Sequence, residues 1–170
     1  RIGSLDAIGG WDQKLFDFVV EYGNYTRYEK KEVNRRRLLF LNTRKDSLKD
    51  KEIRQGLNYL LDKDVLLKEL GTGGYRAIGP IPEESWAYNS NIEDYEYNPG
   101  KASELLSGKG YTKNENSGYY EASNGEILSF TLSYLGNATN DRLASILVDL
   151  YKKEGVILKL ERCTFARLSQ

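Results

Sequence analysis

The sequence predicts an α/β fold with some antiparallel hairpin, and three stretches carry that prediction. In the last third, Leu143, Ile146, Leu147 and Leu150 form a helical stripe between an apolar strand over residues 127–135 and another over residues 156–160. Strand, helix and strand thus follow one another within about forty residues, the pattern of a parallel crossover unit. Just upstream, Tyr119-Tyr120-Glu121-Ala122, the turn Ser123-Asn124-Gly125-Glu126 and the run from Ile127 read as a β-hairpin. Nearer the start, Ile53, Leu57, Leu60 and Leu61 mark one face of an amphipathic helix.

Taken in order, residues 4–8 are short and moderately apolar and end at Gly9-Gly10, which reads as a strand. Trp11, Leu15, Phe18, Val19 and Tyr22 then recur at helical spacing up to the stop Gly23-Asn24. Arg35-Arg36-Arg37 leads into Leu38-Leu39-Phe40-Leu41, an apolar run of the buried-strand kind. With no further basic residues sharing a face, the three arginines read as a solvated turn or strand edge. Ser47-Leu48-Lys49-Asp50 fits a capping box for the Ile53 helix, whose opposite face carries Arg54, Asn58 and Asp62. A second short helix over residues 65–70 closes at Gly71-Thr72-Gly73-Gly74. Residues 75–98 have no period and hold Trp86 with Tyr75, Tyr88, Tyr95 and Tyr97, so they read as a long aromatic loop packed over the domain surface. Asn98 caps the next helix and Pro99 opens it, with Ala102, Leu105 and Leu106 facing inward until Gly108 and Gly110. Asn140 is placed to cap the last long helix and Gly155 to stop it.

Composition narrows the function. The 25 Lys+Arg balance the 25 Asp+Glu, which argues against nucleic acid or an anionic membrane as partner, since phosphate contacts need a basic excess. The absence of histidine excludes His-based triads, HExxH zinc sites and imidazole acid/base catalysis. The single cysteine, Cys163, has no partner for an internal disulfide and, following an apolar run, reads as a buried structural thiol. At 39% hydrophobic with a mean hydropathy of -0.61, the chain is of a soluble globular type with no bilayer-spanning run. It holds no methionine, even at position 1, so it reads as a mature segment or a piece of something longer.

Several motifs fail on inspection. Gly71-Thr72-Gly73-Gly74 precedes a proline loop instead of opening a helix, and no GxxxxGK[ST] occurs, so a nucleotide loop is not indicated. Residues 113–124 place Gly118 like a calcium loop but have Lys113 and Asn124 where carboxylates are required. Asn24-Tyr25-Thr26 and Asn137-Ala138-Thr139 match a glycosylation tripeptide too common to decide anything. Glu83-Glu84 and Glu93-Asp94 could suggest a glycosidase, but adjacent loop carboxylates point different ways and stay solvated.

A family likeness goes further. Leu39-Phe40-Leu41-Asn42-Thr43, then Ile53-Arg54-Gln55, Leu57-Asn58-Tyr59 and Asp62-Lys63-Asp64, resembles the characteristic stretch of the extracellular solute-binding proteins of oligopeptide, dipeptide and nickel ABC importers. The likeness continues in order through Gly79-Pro80-Ile81-Pro82, Trp86-Ala87-Tyr88-Asn89, Asn98-Pro99, Lys101-Ala102, Leu105-Leu106 and Gly110-Tyr111 to the closing strand, helix and strand. Three positions depart: Gly56 replaces a usual alanine, Asp46-Ser47 a common proline, and Phe165 a typical tryptophan.

The resemblance implies a type II periplasmic-binding-protein lobe, a mixed sheet with flanking helices and a β-hairpin. Residues 1–170 would form a single domain, the second lobe of a larger two-lobed protein that closes on its ligand by a hinge. It implies a non-catalytic binder of peptides, without metal or other cofactor, working with ABC permease subunits and the remaining lobe, extracellular and lipid-anchored or periplasmic. Alternatives are a sensory domain of the same fold, or a binder of dipeptide, nickel chelate or oligosaccharide. Ligands gather beyond the carboxyl ends of parallel strands, which selects residues 134–140 and 162–165. Within them Tyr134, Asn137, Asn140 and Phe165 are the expected ligand contacts, Asn140 and Phe165 by matching position in the family. Asn140 fits a helix cap as well, and Phe165 fits plain core; Trp86 and Tyr88 read as packing.

Overall fold

The computed structural model describes residues 36–71 and 74–168, together with Phe18 and Glu21. The strand expected over residues 4–8 and nearly all of the helix expected from Trp11 lie outside the described residues. The strand expected at Leu38-Leu39-Phe40-Leu41 does not form: the segment is irregular, with Leu38 51%, Leu39 45% and Phe40 84% exposed. A strand needs a neighbour for its N–H and C=O groups, and the described residues provide none there.

Helix α1 (Asp46–Lys49) is a single turn and α2 (Lys51–Leu60) follows it, separated by Asp50 in an extended conformation. The capping box expected from Ser47 is therefore absent, and neither helix has a side-chain N-cap. The Arg54 guanidinium makes the junction instead, donating to the carbonyls of Leu48 at 2.8 Å and Lys49 at 2.6 Å, groups that a helix end leaves unpaired. Helix α3 (Lys63–Leu70) begins with Asp62 accepting from the backbone N–H groups of Asp64 and Val65. It ends at Gly71, whose φ of +62° is the left-handed stop that glycine allows.

The aromatic loop is pinned to these helices by its polar atoms. Gln55 donates to the Tyr95 hydroxyl at 3.1 Å, Lys63 to the Tyr95 carbonyl at 2.8 Å, and Tyr59 to Glu93 at 2.9 Å. The Tyr59 and Tyr95 rings meet edge to face at 5.1 Å, and Arg76 pairs with Asp94. Trp86 corrects the packing expectation: it is 98% exposed. Tyr75, Tyr95 and Tyr97 hold the loop, since each combines an apolar ring with a hydroxyl that finds a partner.

Helix α4 (Pro99–Ser107) has the Asn98 cap the sequence predicts, accepting from the N–H of Lys101 at 3.0 Å. It packs against α2 at Gly56, where an added Cβ would lie 3.1 Å from Cγ and Cδ2 of the fully buried Leu106. The glycine that costs α2 helix propensity thus lets α4 approach closely.

Strands β1 (Tyr111–Lys113) and β2 (Tyr120–Ala122) form the hairpin, antiparallel with Thr112 opposite Glu121. This corrects the pairing expected from sequence. The Asn124-Gly125 turn exists, with the Gly125 N–H bonded to the Ala122 carbonyl, but beyond it only a single bridge joins Glu121 to Ile127. The chain then leaves to form β3 (Ser129–Leu135), which pairs in parallel with β4 (Ile157–Cys163), Ser129 opposite Ile157 through Leu135 opposite Cys163. Helix α5 (Ala138–Lys153) makes the crossover, as expected, and a last turn, α6 (Phe165–Leu168), follows β4. The residues that would have formed a calcium loop form an Asx turn, Asn114 accepting from the N–H groups of Asn116 and Ser117.

Leu60, Leu106, Tyr120, Leu128 and Val156 are the largest fully buried side chains, one or more from each of these units, so helix pair, hairpin and crossover share one core. Tyr151 crosses it and donates its hydroxyl to the Leu57 carbonyl at 3.2 Å. Glu154, 7% exposed, accepts from Tyr97 at 2.6 Å, so the buried carboxylate is not left unpaired.

Candidate functional site

Parallel strands end side by side, and the side chains at the carboxyl ends of β3 and β4 stand over the turn that leads into α5. Tyr134 is opposite Arg162 in the ladder, so their side chains leave the sheet on one face. Asn137 is the α5 cap, accepting from the N–H of Asn140 at 2.9 Å; the sequence placed that role on Asn140. The Asn140 amide is turned to the strand end, where it donates to the Leu135 carbonyl at 2.9 Å and accepts from Arg37 at 3.4 Å. Phe165 opens α6 with 72% of its surface exposed, which removes the plain-core reading within the described residues. The four expected residues therefore gather at one end of one sheet.

Electrostatics binds the cluster together. Asp141 accepts from Arg162 at 3.3 Å. Tyr134 is held above the ordinary phenol value, first by loss of water around it and then by hydrogen bonding to Asp141, with Arg162 opposing. Next to it, Glu161 is occupied by Ser133 at 2.8 Å and by Arg167. Gly136 has a steric duty: a Cβ there would run into the Arg162 guanidinium, 2.7 Å from Cζ and 2.8 Å from Cδ, so the arginine lies across the bare backbone of the β3–α5 turn. Sequence reading missed Arg37 and Asp141, and it placed Gly136 and Arg162 within the strand-end stretches 134–140 and 162–165 without giving either a role. Only the parallel register reveals Arg162 beside Tyr134. The reading of residues 35–37 as a solvated turn is also corrected in part, since Arg36 donates to the Tyr75 hydroxyl at 2.9 Å and Arg37 reaches Asn140.

Elsewhere, an open cavity of about 370 Å³ lies along the polar stripe of α2, lined by Leu41, Thr43, Lys51, Arg54, Gln55, Asn58 and Tyr95. Glu83 and Glu84 line a second hollow of about 10 Å³ of free space beside Arg36 and Tyr75, room for about one water molecule. Cys163 is half-buried at the end of β4, its thiol 3.5 Å from the Glu161 carbonyl. Among the described residues no cluster of three or more His, Cys, Asp or Glu is placed to hold a metal ion, and no helix is long and apolar enough to cross a membrane.

A sheet whose parallel strand ends carry polar and aromatic groups into solvent is the architecture of an α/β binding lobe. The family model of bacterial extracellular solute-binding proteins, family 5 Middle, matches residues 4–170, and the chain belongs to this family. It is 41% identical to heme-binding protein A of Haemophilus influenzae over 71 residues, 41% of this chain and 13% of that protein. It is 30% identical to the oligopeptide-binding protein AppA of Bacillus subtilis over 125 residues, 71% of this chain and 23% of that protein. The structure of AppA in complex with a nonapeptide matches with a TM-score of 0.64 at 29% identity, over 75% of this chain and 26% of that one. NikZ from Campylobacter jejuni, in complex with Ni(L-His), matches with a TM-score of 0.63 at 35% identity, over 73% of this chain and 25% of that one. The fold is that of a type II periplasmic-binding-protein lobe. The chain spans about a quarter or less of the length of these relatives.

Proposed function

We propose that this chain is the second lobe of a two-lobed, extracellular or periplasmic protein that captures peptides and hands them to an ABC permease. One observation carries the reading: Tyr134, Asn137, Asn140 and Phe165 come together at the carboxyl ends of β3 and β4, with Phe165 72% exposed to solvent. The ring offers a stacking wall and the amides offer neutral hydrogen-bonding groups. That combination suits a ligand held by its main chain, whose side chains occupy roomy, wet pockets. The lobe binds and does not catalyse; Glu83 and Glu84 belong to the loop around Arg36 and Tyr75.

The test is to purify the intact two-lobed protein, identify what it carries by mass spectrometry, and titrate the emptied protein with a peptide mixture. Peptides of mixed sequence are expected, and a tightly held sugar or metal complex without peptide overturns the reading. The likeness to NikZ, at 35% identity, favours a metal chelate as the second cargo to try. Lipid anchorage and coupling to the permease form part of the same proposal, checked by membrane fractionation and by peptide uptake in cells lacking the protein.

A further inference from the structure

We infer that Asn124-Gly125 is a site of spontaneous covalent modification, where the asparagine closes onto the glycine nitrogen as a succinimide and reopens as aspartate or isoaspartate; this holds whatever the ligand is. The reaction needs a backbone nitrogen able to reach the side-chain Cγ, an amide carbonyl able to take up negative charge, and water. Gly125 has no Cβ to obstruct the approach, and every other asparagine of the chain is followed by a residue that has one. Asn98 precedes Pro99, which has no N–H to lose, and Asn58 and Asn140 lie inside α2 and α5. Residues 123–126 are exposed, so water reaches the turn. Asn124 Oδ1 accepts from the N–H of Glu126 at 3.0 Å, which folds the carboxamide back over the Gly125 peptide. The same bond polarises the carbonyl as an oxyanion donor does. The nucleophile is restrained by the Gly125 N–H bond to the Ala122 carbonyl at 2.9 Å, a turn bond that opens to solvent without disturbing the core.

Solvent base removes the Gly125 N–H proton, the nitrogen bonds to Asn124 Cγ, and the Cγ–Nδ2 bond breaks, Nδ2 leaving as ammonia with a proton from water. Water then opens the imide at Cγ to give aspartate, or at the main-chain carbonyl to give isoaspartate, in which the chain runs through Cβ and Cγ. Both products carry a new carboxylate, and isoaspartate also lengthens the main chain by one atom. That atom falls between Ala122 and Glu126, where the Ala122 N–H donates to the Glu126 carbonyl at 2.8 Å and closes the turn. Just beyond, the Glu121–Ile127 bridge and the Leu128 N–H bond to the Tyr120 carbonyl at 2.8 Å tie the departing chain to β2. Leu128 and Tyr120 are fully buried, so lengthening an exposed turn pulls on the core.

The experiment ages the intact protein in heavy-oxygen water at neutral and mildly alkaline pH and follows each asparagine by peptide mapping and mass spectrometry. The peptide holding Asn124 is expected to gain about 3 Da, the amide-to-acid change plus the heavy oxygen taken up when the imide opens. It should react at least about tenfold faster than any other asparagine, a difference of about 1.4 kcal/mol in barrier, and faster at the higher pH, where more of the Gly125 amide is deprotonated. Gly125→Ala should slow the reaction about tenfold by placing a methyl beside the nucleophile. Asn124→Gln should stop it without touching the glycine, since the longer side chain would have to close a six-membered ring. A rate at Asn124 no greater than elsewhere, or one unchanged in Gly125→Ala, overturns the inference. The isoaspartate form, separated by chromatography, should unfold at a lower urea midpoint than fresh Asn124→Asp, which has the same charge on an unaltered main chain. Equal midpoints would remove the coupling of the turn to the core.

Discussion

Replacing Gly155 with alanine should be among the most damaging single-methyl changes available in this chain. Gly155 follows α5 with φ +91°, and its carbonyl accepts from the N–H of Tyr120 at 2.8 Å, which ties β2 to the start of β4. A Cβ there would collide with the Gly118 carbonyl and lie 3.2 Å from Lys113 Cε and 3.3 Å from Tyr119 Cα. The lysine can swing away. The other two atoms are backbone of the β1–β2 turn, which is clamped by the bonds Asn114 N–H to Tyr119 O and Gly118 N–H to Asn114 O, both 2.8 Å. The left-handed conformation costs an L-residue about 1–2 kcal/mol, and opening the turn forfeits the Tyr120–Gly155 hydrogen bond, about 1–3 kcal/mol when its groups stay buried. The sum, about 2–5 kcal/mol, is a large part of the roughly 5–15 kcal/mol that holds a domain together. Gly71→Ala is the internal control, because Gly71 also has positive φ, +62°, but a Cβ there meets nothing within 4 Å, so it should lose only the left-handed strain of about 1–2 kcal/mol. Urea unfolding compares the two by midpoint at constant slope. Equal losses for the two variants would refute the steric argument.

Gly56→Ala should fail to gain the roughly 1 kcal/mol that helix propensity offers, because its methyl meets Leu106 at 3.1 Å in a full core; a midpoint rise worth that whole amount would mean Leu106 yields freely. Tyr97 is pushed up to about 12, chiefly by its hydrogen bond to Glu154 and then by burial. Its folded value lies above its unfolded one, so its contribution is complete below pH 10 and is lost as pH rises through about 12. Tyr97→Phe should flatten that part of the alkaline unfolding profile, and an unchanged profile contradicts it. Glu121 lies below the usual carboxylate range because Ser117 and Asn114 donate to it. Its contribution is therefore complete above its unfolded value and fades as pH falls through the folded one. Glu121→Gln should shallow the acid limb measured by circular dichroism, and an acid limb identical to the parent's would show that these hydrogen bonds do not favour the ionised carboxylate.

What the sequence made legible was what its neighbours in the chain decide. The α5 stripe, the Asn98 cap and the Gly71 stop were readable because a helix is specified by residues a few positions apart. The partner of β3 was not: Asn124-Gly125 is a true turn, but whether the strand beyond it stays with β2 or joins β4 is settled by packing against α5, which no local window contains. Residues 38–41 have strand composition, yet composition supplies no hydrogen-bond partner. Asn137 and Asn140 stand three residues apart, either able to cap, and the difference lies in where the turn at Gly136 puts the helix start. At the site, Tyr134 and Phe165 were within reach of a strand-end argument. Arg162 lay within the selected stretch, but its place beside Tyr134 was hidden by register, and Arg37 was hidden by its distance of 103 residues from Asn140.

The parallel pair has one more consequence, for the life of the chain before and during folding. Strand β4 carries Lys159, Glu161 and Arg162, charges that make stacking against another molecule's backbone costly. Strand β3, Ser129–Leu135, reads SFTLSYL: seven residues with no charge, proline or glycine, and with every second position apolar or aromatic. Among the described residues only β4 pairs with it, and none of them covers its other edge. Segments of this composition are the ones that self-assemble into cross-β ladders. Refolding yield should therefore fall steeply with protein concentration, and a single lysine at Thr131 or Ser133, placed on the solvent side of β3, is the first change to make when preparing this chain in quantity.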